Sequence, residues 1–160
     1  MKIYQIDSSA RKKGSTSRAL AKKLLEKIKK PNDEIVYRDL DDEMLFVSGL
    51  TESGMKIPEN EQTEQHKKMF ELSDKLVLEL KESDVIIISV PIYNFGPPAT
   101  LKAWSDLAAR VKETFKYNAD GSFKSSIGKF YDDSDFKAWA DKFGAEPGDM
   151  MLILSGETDK

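Results

Sequence analysis

The sequence predicts an α/β fold, a doubly wound parallel sheet with helices on both faces. Two observations carry this. Strand-like and helix-like patterns alternate strand–helix–strand–helix–strand–helix from Lys2 to about Arg110. The most apolar stretch, Val85–Val90 (VIIISV), does not alternate with polar residues, so it belongs in the middle of a parallel sheet, covered on both sides. At 160 residues the chain is long enough for one domain with a real core.

Taken in order, Lys2–Asp7 (KIYQID) reads as a strand with Ile3 and Gln5 on one face and Tyr4 and Ile6 on the other. A polar loop through Ser15 follows. Leu20, Leu24 and Ile28 then recur at helical spacing, and Pro31 closes that helix. Glu34–Asp39 (EIVYRD) is a second strand. Leu40 to Asn60 is loop-like, punctuated by Gly49, Gly54 and Pro58. A long helix is expected over about Gln62–Glu82, with Met69, Leu72, Leu76 and Leu80 inward. Its His66 is expected on the surface. After Val85–Val90 comes the loop Pro91–Pro98 (PIYNFGPP), then a third helix with Leu101, Trp104, Leu107 and Val111 inward. Thr114–Phe123 reads as a short hairpin turning at Asn118–Gly121, Asp132–Phe143 as a helix, and Met150–Leu154 as a last strand.

Composition excludes several functions. There is no Cys and one His among the 160 residues, which removes disulfide scaffolds, thiolate metal sites and multi-histidine metal sites. The clustered Asp132, Asp133 and Asp135 are explained by helix capping. No apolar run nears the ~20 residues of a membrane span, and Met1 leads directly into a strand-like pattern, so a cytoplasmic protein is expected. The net charge of −3 argues against nucleic acid as a partner.

Ligands of a doubly wound sheet bind beyond the carboxyl ends of its strands, where the strand order reverses. The loop after the first strand carries Ser8, Ser9, Gly14, Ser15, Thr16 and Ser17 at the start of a helix, with Arg11, Lys12 and Lys13 alongside. Helix N-terminal amides and hydroxyls suit a phosphate, but the same residues also make an ordinary N-cap. Both readings stand on spacing alone. Neither GxGxxG nor GxxxxGK[ST] occurs, so a monophosphate is a simpler fit than a dinucleotide or a triphosphate. The loop after the central strand offers Ile92, Tyr93, Asn94 and Phe95, flat apolar groups beside an amide, as a heteroaromatic ring requires. In isolation it reads equally well as a structural Pro-rich loop.

Over about residues 1–125 the chain resembles the FMN-dependent NADH-azoreductase and NADH:quinone oxidoreductase family. The resemblance lies in Asp7–Arg18 (DSSARKKGSTSR), Ser83–Phe95 (SDVIIISVPIYNF), Thr100–Arg110 (TLKAWSDLAAR) and Thr114–Gly121 (TFKYNADG). It implies a flavodoxin-like fold with the FMN phosphate held by Ser9, Ser15, Thr16 and Ser17, and the flavin ring along Ile92, Tyr93, Asn94 and Phe95. It further implies a homodimer that takes hydride from NADH or NADPH and passes electrons to quinones or azo compounds, with no catalytic side chain required.

The chain departs from that pattern. Val111, Lys112 and Glu113 stand where the family has an Ala-Gly-Val-like stretch, and its fourth strand and third flavin loop do not follow Gly121. From about Ile127 to Lys160 the chain instead resembles a segment of the inserted domain of bacterial aspartyl-tRNA synthetases, without that enzyme's ATP- or aspartate-binding motifs. These last 34 residues hold four Lys against eight acidic residues. Two regions are therefore expected: 1–125, a partial flavodoxin-like FMN-binding domain, and 126–160, a foreign tail. The sheet is then either incomplete at its C-terminal end or completed by the tail. In the second case Met150–Leu154 docks as an edge strand parallel to Val85–Val90, with Asp132–Phe143 as crossover helix. The alternative function is a non-catalytic truncated fusion that binds flavin weakly or not at all.

Overall fold

A computed structural model describes residues 1–42, 46–47, 58–117, 119, 123–125, 129–130 and 150–155. The described elements are β1 (Lys2–Asp7), α1 (Thr16–Ile28), β2 (Glu34–Asp39), a single 3-10 turn (Glu59–Glu61), α2 (Glu64–Lys81), β3 (Val85–Val90), α3 (Ala99–Ala108), β4 (Phe115–Tyr117), β5 (Phe123–Ser125), β6 (Lys129–Phe130) and β7 (Met150–Ser155). β2, β1 and β3 run parallel in the sheet order β2-β1-β3-β7-β6, and β4 and β5 form a separate antiparallel pair.

The three leading strands fall where the apolar patterns place them, and both faces of β1 and β3 are covered. On one face Ile3 and Ile87 pack with Ala21 and Leu24 of α1. On the other, Tyr4, Ile6, Ile86, Ile88 and Val90 pack with Met69, Leu76 and Leu80 of α2 and with Trp104, Leu107 and Ala108 of α3. Non-alternating strands between two helical layers make a doubly wound sheet, because each strand must bury side chains both ways. A buried polar strut ties the second layer to β2. Arg38 donates to Glu79 at 2.5 and 2.8 Å, and the Tyr4 hydroxyl donates to the same carboxylate at 2.5 Å. Burial, followed by that carboxylate, pushes the Tyr4 hydroxyl well above the usual phenol range.

Four expectations are corrected. Met150–Ser155 does lie beside β3, but antiparallel, with Val85 opposite Ser155 and Val90 opposite Met150. A run apolar on both faces fits a sheet in either direction, so the sequence of the strand held no information on its polarity. Nor is β7 the edge, since Lys129 and Phe130 of β6 pair antiparallel on its outer side. His66 is buried, not exposed. It occupies the third position of α2 in a capping box: Thr63 Oγ1 accepts from the His66 amide, and His66 Nδ1 accepts from the Thr63 amide at 3.2 Å. That reciprocal bond folds the ring back over the helix start. Val111 is exposed because α3 ends at Ala108, three residues earlier. The proposed helix Asp132–Phe143, with its Asp cluster, lies outside the described residues, as does most of the Asn118–Gly121 turn.

No described helix is long and apolar enough to cross a membrane. Among the described residues, no cluster of His, Asp and Glu could hold a metal ion.

Candidate functional site

The loops that follow β1 and β3 meet at the carboxyl ends of their strands. Parallel pairing of β1 with β3 puts Asp7 level with Ser89, so both loops leave the sheet side by side. Three contacts fix this. The Ser89 hydroxyl donates to Asp7 Oδ1 at 2.7 Å, the Ser8 hydroxyl donates to the Ser89 carbonyl at 2.7 Å, and the Ser8 amide donates to that same carbonyl at 3.2 Å.

In the first loop, Gly14 has φ +68°, a left-handed conformation that a side chain would strain. It turns the chain into α1, where Ser15 is the N-cap and its hydroxyl accepts from the Arg18 amide at 3.4 Å. Thr16 is the first helical residue and is exposed, whereas Ser17 is buried with its hydroxyl 3.2 Å from that of Ser15. Among the described residues, no protein acceptor takes the Thr16 or Ser17 amide, as is usual for the first turn of a helix. Those amides carry the positive end of the helix dipole. Ser9 is buried, and its hydroxyl accepts from the Arg11 amide at 3.2 Å. Arg11 and Lys13 are exposed and make no ion pair among the described residues.

In the second loop the chain reverses between Tyr93 and Gly96. The Tyr93 amide donates to the Gly96 carbonyl at 2.8 Å and the Gly96 amide returns a bond at 3.0 Å. The two central residues, Asn94 and Phe95, have φ +50° and +65°. Two consecutive left-handed residues are what a type I′ reversal demands, and Phe is a poor choice for either position. The Phe95 ring stands free in solvent, with Ile92 and Tyr93 partly exposed beside it. The sequence grouped all four residues as one ring-facing surface. The Tyr93 hydroxyl reaches the first loop, where it accepts from the Ala10 amide at 3.1 Å and lies 3.3 Å from the Ser9 hydroxyl. The two loops are thereby joined.

Sequence reasoning passed over the charged layer beneath the first loop. Asp7 and Asp39 end their strands at the same register position. Two carboxylates side by side repel, and Arg18 reconciles them. Its guanidinium donates to Asp39 Oδ1 at 2.8 Å and Oδ2 at 2.7 Å, and to Asp7 Oδ2 at 3.4 Å. It also donates to the Ser9 carbonyl, from Nε at 3.2 Å and Nη2 at 2.5 Å. Lys12 adds a second cation 2.7 Å from Asp39. Burial pushes the Asp39 carboxyl up, but hydrogen bonds from Arg18 and Lys12 outweigh it and hold the group well below the usual carboxylate range. The Tyr37 hydroxyl donates to Asp7 at 2.9 Å, and burial together with that carboxylate pushes it up to about 12. The readable signal was the shared ending of KIYQID and EIVYRD, two acids that parallel pairing must bring together. A cleft of about 550 Å³ opens between α1 and β2, lined by Asp7, Lys12, Gly14, Ser15, Arg18 and Tyr37 among others, and residues 92–95 do not line it.

A three-layer α/β sheet with a hydroxyl-rich helix start and an aromatic loop at its switch point defines a flavodoxin-like protein. The family model described as flavodoxin-like fold matches residues 1–131, and the chain belongs to that family. It is 82% identical over 121 residues to an FMN-dependent NADH:quinone oxidoreductase of Pelagibacter ubique (strain HTCC1062), covering 76% of this chain and 63% of that protein. It is 39% identical over 122 residues to an FMN-dependent NADH:quinone oxidoreductase 1 of Hahella chejuensis (strain KCTC 2396), covering 75% and 60%. Among solved structures it resembles an azoreductase from Bacillus anthracis str. Sterne, with a TM-score of 0.65 and 27% identity over 75% of this chain and 61% of that one. The chain thus spans about three fifths of the length of these relatives.

Proposed function

We propose that the paired loops bind FMN and that the chain serves as an FMN-dependent oxidoreductase, passing electrons from NADH or NADPH to quinones or azo compounds. The observation that carries this reading is the convergence of the two loops. The Thr16 and Ser17 amides, without a partner among the described residues, and the hydroxyls of Ser9, Ser15 and Ser17 lie at one strand end, and the exposed Phe95, Tyr93 and Ile92 lie at the next. The donor set fits a phosphate monoester, because it offers hydrogen-bond donors and a helix dipole while the nearby carboxylates are already neutralised by Arg18 and Lys12. The apolar loop fits a flat heteroaromatic ring. When bound, FMN supplies the hydride and electron chemistry, and the protein supplies placement and electrostatics. The relatives' names support the same cofactor and reaction.

Further parts of the reading are a homodimer, a cytoplasmic location, and no membrane or nucleic-acid partner. We also propose that residues 1–125 form the flavin-binding region and that 126–160 derive from elsewhere, as their likeness to the aspartyl-tRNA synthetase insertion suggests. A second reading, a flavin-binding module without turnover, is favoured by one observation: the strand beside β3 is antiparallel β7 rather than another parallel strand.

Titration of the purified chain with FMN, FAD and ATP, followed by flavin absorbance and calorimetry, tests the proposal. FMN is expected to bind tightest. Equal or tighter binding of ATP would reject the site. FMN binding without flavin-dependent NADH oxidation would select the second reading.

A further inference from the structure

We propose that Arg18 is the positioning residue of the phosphate loop, acting through the Ser9–Ala10 peptide and not by touching the ligand. This rests on the reading of that loop as a phosphate site. The Arg18 guanidinium is committed on every side. Two bonds go to Asp39, one to Asp7, one to the Tyr37 hydroxyl at 3.1 Å, and two to the Ser9 carbonyl. Its side chain is only 13% exposed. A cation so fully engaged has no donor left over for a phosphate oxygen.

The Ser9 carbonyl and the Ala10 amide belong to one planar trans peptide, so they point in opposite directions. Holding the carbonyl down toward Asp7 and Asp39 therefore turns the Ala10 N–H the other way, toward the second loop. There it meets the Tyr93 hydroxyl at 3.1 Å. A forked, planar guanidinium can grip a carbonyl and a carboxylate at once, whereas a lysine ammonium offers a point charge with no fixed geometry. Arg18 thus aims a backbone donor, which a phosphate oxygen would take over from the neutral Tyr93 hydroxyl, to stand beside the helix-terminal amides.

The experiment measures dissociation constants for FMN and riboflavin, which differ only in the phosphate. It uses the wild-type chain, Arg18→Lys, Asp39→Asn and the charge-balanced double variant Arg18→Gln/Asp39→Asn, each with a thermal melt. Wild type is expected to prefer FMN. Arg18→Lys and the double variant are expected to lose about tenfold or more of that preference, the scale of one hydrogen bond to a charged oxygen, while riboflavin affinity stays within about threefold. Asp39→Asn keeps the grip on Ser9 and is expected to retain the preference, whatever its melting temperature. The double variant removes both partners of the ion pair, so it separates the role of the clamp from mere charge imbalance. An FMN preference in Arg18→Lys and the double variant equal to wild type would overturn the proposal. So would equal losses for FMN and riboflavin, which is what a purely structural role predicts. A wild-type chain with no preference for FMN over riboflavin would instead overturn the phosphate site itself.

Discussion

Ser15 and Ser17 carry their hydroxyls 3.2 Å apart at the start of α1, one as N-cap and one buried. Removing both takes away two hydroxyls that, on the proposed reading, donate to the phosphate. A hydrogen bond to a charged oxygen contributes roughly 1.5–3 kcal/mol. Ser15→Ala/Ser17→Ala is therefore expected to weaken FMN by at least tens-fold while riboflavin changes much less. Equal losses measured for both ligands would place the phosphate elsewhere. These hydroxyls were legible in the sequence because N-cap chemistry is local: Ser15 follows a glycine and precedes an apolar helical repeat. Arg18 was not, because its partners are Asp7, Asp39 and the Ser9 carbonyl, and only the parallel register of β1 and β2 brings the two acids to one level. His66 was misplaced for a related reason. Its burial follows from a reciprocal cap with Thr63, and no pattern of polarity along the helix records that bond.

Elements were more readable than residues where they bury themselves on both sides, and less so where direction matters. Val85–Val90 announced its central position by lacking polar alternation, and the helices packed above and below it agree. The same lack of alternation in Met150–Ser155 hid its polarity, and it runs opposite to β3. The Tyr93–Gly96 reversal is the element where local preference yields most. Asn94 tolerates a left-handed backbone, but Phe95 at φ +65° is strained by about 1–2 kcal/mol. That ring makes up for none of this by burial, since it stands in solvent. Phe95→Gly is thus expected to raise stability by about 1 kcal/mol, seen as a higher urea midpoint, and to weaken FMN and riboflavin alike by removing a stacking surface. A fall in stability would refute the strain, and unchanged flavin affinity would refute the stacking role.

Across the whole molecule, the charged layer under the loops sets the acid limit. Asp39 titrates lower in the folded chain than its ordinary value of about 3.9, so its contribution is complete above that value and is lost as pH falls toward the depressed one. Urea midpoints are expected to hold level from neutral pH to about pH 5 and to drop below about pH 4. Asp39→Asn should cost about 1–3 kcal/mol at neutral pH and should flatten that acid drop. An acid drop of the same size in the variant would assign it to other carboxylates.

The bonds that build the site join partners far apart along the chain. Ser9 and Tyr93 are 84 residues apart, Asp7 and Ser89 are 82 apart, and the Ser8 hydroxyl reaches a carbonyl 81 residues away. A growing chain makes the first loop almost at once, yet the bonds that join it to Ser89 and Tyr93 wait until β3 has been synthesised and paired with β1. The junction of the two loops is therefore a late property of the assembled sheet. No early local fragment can acquire it. Ligand that binds only this assembled form draws on the free energy of the entire β1–β3 pairing, and so stabilises the sheet as a unit rather than the loops alone.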